Sequence, residues 1–269
     1  MAFVAAALIV VPSATPQTVV GRTVVRALAL PTGATKSLTI SCPAGYFALG
    51  AGASKAGAGI TALAARPLGL RTFSLRLSNA GDADQRVTVA AACRRVRAAG
   101  KRAPHLKLVT RRRVTLRVSP TSLRQTHLTC PSGTVPAAAG FDAGRRDVTV
   151  REEAQDLHAL SFSAYNRSAT ARTVSFYGGC LTVVRSAGAS RAQLQVSLAT
   201  DTVPIPSGSE VVTRSCPQGW LSLSVGYSVP VGLDLNGAAA AGRTGRWSFT
   251  NPAQKPVLAQ VQLACARLT

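Results

Sequence analysis

Aromatic side chains are scarce in this chain: they make up 5% of its 269 residues. The hydrophobic 46% must therefore build its cores from alanine, valine and leucine. Small domains with light cores are marginal and usually need staples. Histidines number three, at His105, His127 and His158, and no Cys-x-x-C pair occurs, so the usual ligand spacing of a zinc site is missing. No segment carries a convincing helical period of apolar residues. No run reaches the ~20 residues that a membrane-spanning helix needs. Acidic residues are few as well: 10 Asp+Glu stand against 31 Lys+Arg, a net charge of +21. Such a field attracts nucleic acid, anionic membrane surface or an acidic wall polymer.

What the chain does have is a pattern that occurs three times. It opens with Cys-Pro-x-Gly, at Cys42-Pro43-Ala44-Gly45, Cys130-Pro131-Ser132-Gly133 and Cys216-Pro217-Gln218-Gly219. Ten residues after each cysteine stands a glycine: Gly52, Gly140 and Gly226. Each pattern closes on an asparagine followed fourteen positions later by a second cysteine: Asn79 and Cys93, Asn166 and Cys180, Asn251 and Cys265. These are all 6 cysteines of the chain. The repeat overrides a domain count based on length.

Six cysteines allow fifteen connectivities. A unit that duplicates carries its own bond, which selects Cys42–Cys93, Cys130–Cys180 and Cys216–Cys265. Each bond closes a loop of about 50 residues, worth roughly 4 kcal/mol in the chain-entropy model. An even, regular cysteine count points to an oxidising compartment. The apolar run at residues 2–11 has the length of a signal-peptide hydrophobic region. A leader over residues 1–18 is expected, although no basic residue precedes the run. An apolar lead-in strand is the alternative.

Between the cysteines the chain alternates with period two. Phe73, Leu75 and Leu77 share one face, as do Val87, Val89, Ala91 and Cys93. In each copy the closing cysteine falls on the apolar face, so it points into a core. Strands are predicted at residues 23–31, 37–42, 47–51, 60–65, 71–78 and 87–93, with counterparts in the other copies. Residues 238–241, bracketed by Gly237 and Gly242, read as a loop or short strand. Glycines inside strands, such as Gly50 and Gly52, mark bulges or close backbone approaches. The repeated asparagine sits where a strand gives way to a turn, which its side chain can cap. The fold expected is all-β: three tandem β-sandwich modules of about six strands each, at residues 19–98, 99–187 and 188–269. The alternative is one pseudo-threefold β structure in which the repeats share strands. Linkers are expected near residues 93–113 and 185–193.

The first of these linkers concentrates positive charge. Arg94, Arg95, Arg97, Lys101, Arg102, Arg111, Arg112 and Arg113 are the candidate contacts for an anionic partner, with Lys107 and Arg117 beside them. The run has no interleaved aromatics and no helical pattern, so it licenses only non-specific phosphate attraction. Other motifs are weaker. Glu152, Glu153 and His158, with Ser161 and Ser163 nearby, form the one place where carboxylates and a histidine cluster, but they occur in one repeat only. Tyr46, Trp220 and Tyr227 are candidate sugar-stacking rings. Gly52-Ala53-Ser54-Lys55-Ala56 loosely matches a nucleophile elbow, but no helix follows it. Asp82 and Asp84 are too few for calcium. The sequon Asn166-Arg167-Ser168 is incidental to the repeat. No cofactor is indicated.

Taken together, Cys-Pro-x-Gly, a glycine-rich strand, an aromatic strand ending in asparagine and a β-branched strand ending in cysteine resemble a repeat of uncharacterised secreted actinobacterial proteins. Gly50-Ala51-Gly52 and Trp247-Ser248-Phe249-Thr250-Asn251 carry the resemblance best; Ala137-Ala138-Ala139-Gly140 departs from it. The resemblance implies export and a disulfide-stapled β module, and no particular activity. Composition and resemblance together lead to an exported, non-enzymatic, cell-envelope or extracellular protein with a basic surface.

Overall fold

The computed structural model describes residues 18–97, 105–184 and 193–269. All of the expected leader but Thr18, which opens a strand, lies outside these residues, as do Lys101, Arg102 and most of the second linker. Eighteen strands follow one another, six to each repeat. Module 1 holds β1 (Thr18–Leu30), β2 (Thr35–Ser41), β3 (Phe47–Lys55), β4 (Ile60–Pro67), β5 (Thr72–Asn79) and β6 (Gln85–Arg97). Module 2 holds β7 (His105–Val118), β8 (Leu123–Thr129), β9 (Val135–Asp142), β10 (Val148–Gln155), β11 (Ala159–Asn166) and β12 (Arg172–Val184). Module 3 holds β13 (Leu194–Ile205), β14 (Gly208–Ser215), β15 (Leu221–Ser228), β16 (Asp234–Ala241), β17 (Thr244–Asn251) and β18 (Val257–Leu268). Residues 238–241 thus belong to a strand. Residues 105–113, expected in a linker, are strand too, because β7 pairs with β12 from His105 to Val118.

Each module is a sandwich of two three-stranded halves; in module 1 these are β1-β6-β3 and β2-β5-β4. The expected disulfides staple them: Cys42–Cys93, Cys130–Cys180 and Cys216–Cys265. Around them pack the inward residues of the alternating strands, such as Phe73, Leu75, Val87 and Val89 in module 1, each fully buried. In module 2 Phe162 and Phe176 stack with ring centroids 4.7 Å apart.

The repeat residues do the same work three times. Gly45, Gly133 and Gly219 each have positive φ, at 77°, 75° and 80°. They let Tyr46, Thr134 and Trp220 donate their backbone N–H groups to Pro43, Pro131 and Pro217, closing a β-turn that favours glycine at its third position. Each asparagine ties two loops together. Asn79 Nδ2 donates to the carbonyls of Leu30 and Ala83, and its Oδ1 accepts from Gly81. Asn166 repeats this with Val118, Thr170 and Ser168. Asn251 repeats it with Ile205, Lys255 and Ala253.

The modules do not stand apart. Half of one sandwich continues into half of the next, giving the six-stranded sheets β2-β5-β4-β9-β12-β7 and β13-β18-β15-β10-β11-β8. The seams are short: Ala64–Asp142 and Ala65–Phe141 between modules 1 and 2, and Glu152–Ser228 and Glu153–Tyr227 between modules 2 and 3. At the third seam β3 and β16 approach without a shared ladder. The repeat glycine explains how close these approaches are. A Cβ on Gly52 would strike the Ala238 carbonyl, and one on Gly140 would strike the Ala65 carbonyl. At Gly226 it would lie 2.7 Å from the Glu153 carbonyl oxygen. Each repeat glycine therefore seats a neighbouring module's backbone, and the six inner strands close around one pseudo-threefold axis.

Candidate ligand cavity and basic surface

On that axis lies a cavity of about 300 Å³. Its walls come from β3, β4, β9, β10, β15 and β16, with Leu49, Phe141, Val225 and Leu235 among the larger apolar residues. A cavity built by three equal copies would have three equal walls. In the ladders Ala65, Glu153 and Ala238 are equivalent, each opposite the residue four before the repeat asparagine, and Leu63, Arg151 and Asn236 are equivalent as the bulged residues. Counting forward from the opening cysteine, Ala53, Phe141 and Tyr227 are equivalent. Module 1 supplies only apolar residues at all three positions, and the polar departures gather where modules 2 and 3 meet.

Glu153 is the most consequential of these. It borders the cavity, partly exposed to that space, and burial raises its carboxyl to about 7. No described donor reaches that carboxyl. Directly across the ladder stands Tyr227, whose hydroxyl is raised well above its ordinary range by burial and then by Glu153. Arg151, 3% exposed, gives Nη1 to the carbonyls of Pro230 and Leu233. Its guanidinium is lowered by burial first and by the nearby Arg167 second. Its Nε and Nη2 are sealed in protein without a partner, as is Thr149 Oγ1 beside the cavity. At the polar end Arg167 meets Asp234 at 3.3 Å, and Arg146 donates to the Gly33 and Asn79 carbonyls.

The acidic cluster foreseen around His158 does not converge. Glu152 and Glu153 are neighbours on β10 and face opposite ways. Glu152 accepts from Gln125 at 3.3 Å near the surface, whereas His158 sits in the exposed turn after β10. There Asp156 Oδ1 accepts the His158 and Ala159 N–H groups. Ser161 bonds His127 instead, at 3.0 Å. The candidate sugar-stacking rings share no groove either. Tyr46 and Tyr227 are buried, and the half-buried Trp220 lies under Arg267 with 4.7 Å from guanidinium carbon to ring centre. Asn166 is fully buried, so its sequon presents no accessible acceptor.

The basic candidates scatter. Arg94 is corrected outright: it is 0% exposed and cannot meet a polymer. Its five N–H bonds go to the Ser222 carbonyl, the Ser222 hydroxyl and the carbonyls of Arg22, Cys93 and Gly242. With no carboxylate beside it, burial lowers its guanidinium to about 10. Arg95 is half-buried and lies over the Tyr46 ring at 4.7 Å. Arg112 and Arg113 are exposed on β7, the outer edge of its sheet, and Arg113 also bonds Ser175. Lys107 and Arg117 are exposed on the same strand. The side chains of Arg97 and Arg111 lie outside the described set. Several aspartates are already engaged: Asp142 with Arg66 and Arg76, Asp147 with Arg172, Asp201 with Arg214.

Among the described residues no helix is long and apolar enough to cross a membrane. The three disulfides fit an extracellular or otherwise oxidising compartment. No protein-family model and no curated protein matches the chain.

Proposed function

We propose that the protein is exported and acts without catalysis in the cell envelope or extracellular space, where its basic surface engages an anionic partner. The partner is a phosphate- or carboxylate-bearing wall polymer or a lipid head-group surface; nucleic acid is attracted by the same field without specificity. The observation that carries this reading is β7. It presents Lys107, Arg112, Arg113 and Arg117 to solvent on a sheet edge, while four of the chain's 10 acidic residues are held in ion pairs elsewhere. A cationic edge also discourages edge-to-edge pairing between copies, and the two roles are compatible.

The test is co-sedimentation of the full chain with purified cell wall and with phosphatidylglycerol vesicles, at low and at high salt. Exposed contacts are screened within about 10 Å at moderate salt, so retention should fall steeply as salt rises. A variant with Arg112, Arg113 and Arg117 all changed to Gln should bind about tenfold more weakly to the true partner. Retention indifferent to both salt and the triple substitution would remove this reading.

A further inference from the structure

The basic edge makes no use of the axial cavity. Small-molecule sites are concave and mostly apolar, with a few placed polar groups in a volume of about 300–1,000 Å³. The axial cavity meets that description at the small end of the range, with about 300 Å³. The fold alone does not require its polar groups, since Ala65 and Ala238 occupy the places equivalent to Glu153.

The charged groups facing it can be taken in turn. Arg167, after β11, is neutralised by Asp234 on β16. Arg146, before β10, is spent on backbone carbonyls. Arg151, on β10, donates away from the cavity to Pro230 and Leu233, and its other nitrogens do not open onto the space. Tyr227, on β15, faces Glu153 from the next strand. What remains is one carboxyl without a donor. Burial alone accounts for its raised value, with no cation contributing. A carboxylate away from bulk water gains most from a partner that brings both hydrogen bonds and opposite charge.

We propose that the axial cavity is a binding site for a small organic amine, with its nitrogen on Glu153 and its carbon skeleton against Phe141, Val225 and Leu235. The bound form is an alkylammonium–carboxylate pair. Near neutral pH the ammonium enters from solution, the O–H bond of the protonated fraction of Glu153 breaks, and that proton leaves to water. Tyr227 presents a hydroxyl that accepts from the same nitrogen. Three or four carbons beyond the nitrogen fit within the space without forcing the seams apart.

The experiment uses the full chain and three probes of one size: n-butylamine, n-butanol and butyrate. Binding is read by calorimetry and by the shift in melting temperature, at about pH 6 and about pH 8, on either side of the Glu153 midpoint. Butylamine should bind and stabilise, more strongly at the higher pH. The other two probes should be at least about tenfold weaker. Glu153→Gln keeps the shape, removes the buried acid and should fold at least as well, so loss of butylamine binding in it reports the site. Butanol or butyrate binding as well as butylamine would overturn the amine assignment. Butylamine binding unchanged in Glu153→Gln, or absent from the wild type, would overturn the site. None of these outcomes bears on the polymer-binding edge, which has its own test.

Discussion

Arg94 of the first module donates its Nε to the backbone carbonyl of Ser222 in the third, at 2.7 Å. That bond spans the one seam that lacks a ladder. The other four N–H groups fasten the β1 and β6 backbones to the same serine and to Gly242. A buried guanidinium is tolerable here because all its donors are satisfied; removing it leaves several buried acceptors empty. Arg94→Met should lower stability by about 3 kcal/mol or more, measured by the denaturant midpoint. Arg94→Lys should be nearly as harmful, since an ammonium cannot reproduce the planar fork. Arg112→Ala, exposed on β7, should shift stability by less than about 0.5 kcal/mol. Equal effects at positions 94 and 112 would contradict the seam.

Gly50 and Gly52 make a sharper pair, two residues apart on one strand. Gly50 stands at a register shift in the β3–β6 ladder, with nothing within 4 Å of where a Cβ would sit. Gly52 backs onto the Ala238 carbonyl. Gly50→Ala should be close to neutral. Gly52→Ala must push β16 away and should cost about 1–3 kcal/mol. Thermal melts of the two variants decide it, and a Gly52→Ala protein as stable as Gly50→Ala would show that the seam is loose.

Asn166 links the end of β11 to both flanking loops from a fully buried position. Asn166→Ala leaves the Val118 and Thr170 carbonyls and the Ser168 N–H without this partner. The expected loss is about 2–3 kcal/mol. Asn166→Asp should also destabilise, because it replaces a double donor with an acceptor facing two carbonyls. The check is equilibrium unfolding of both variants beside wild type.

These residues differ in how visible they were from sequence. The cysteines, the turn glycines, Gly52 and Asn79 recur at fixed spacing, and a demand that recurs three times leaves the same residue type three times. The alternation of apolar residues likewise gave the strands. What repetition cannot show is how modules meet, because a seam depends on residues that differ between copies. Arg94 follows Cys93 and so falls on the face that alternation assigns to solvent; in the folded chain that face is covered by module 3. One signal was present. The residues after the other closing cysteines are Leu181 and Ala266, both fully buried, and aligning the copies places Arg94 in their company. Glu153 is marked less directly: Ala238 stands as far before its asparagine as Glu153 does, whereas Ala65 is offset by one residue and only the ladder register brings it into line.

Glu153 also sets a pH dependence with a definite sign. Burial raises its carboxyl from 4.5 to about 7 in the folded protein. Between those values the folded protein keeps a proton that the unfolded chain has released, so stability falls as pH rises through the window. The cost is absent below about pH 4.5 and fully present above about pH 7. A rise of that size corresponds to about 3 kcal/mol. Glu153→Gln should abolish this contribution, leaving a variant about as stable as wild type near pH 4.5 and distinctly more stable near pH 8. The measurement is urea unfolding across the window for both proteins. Parallel profiles would mean that the Glu153 carboxyl is hydrated or paired in solution, and that the axial cavity is open to water.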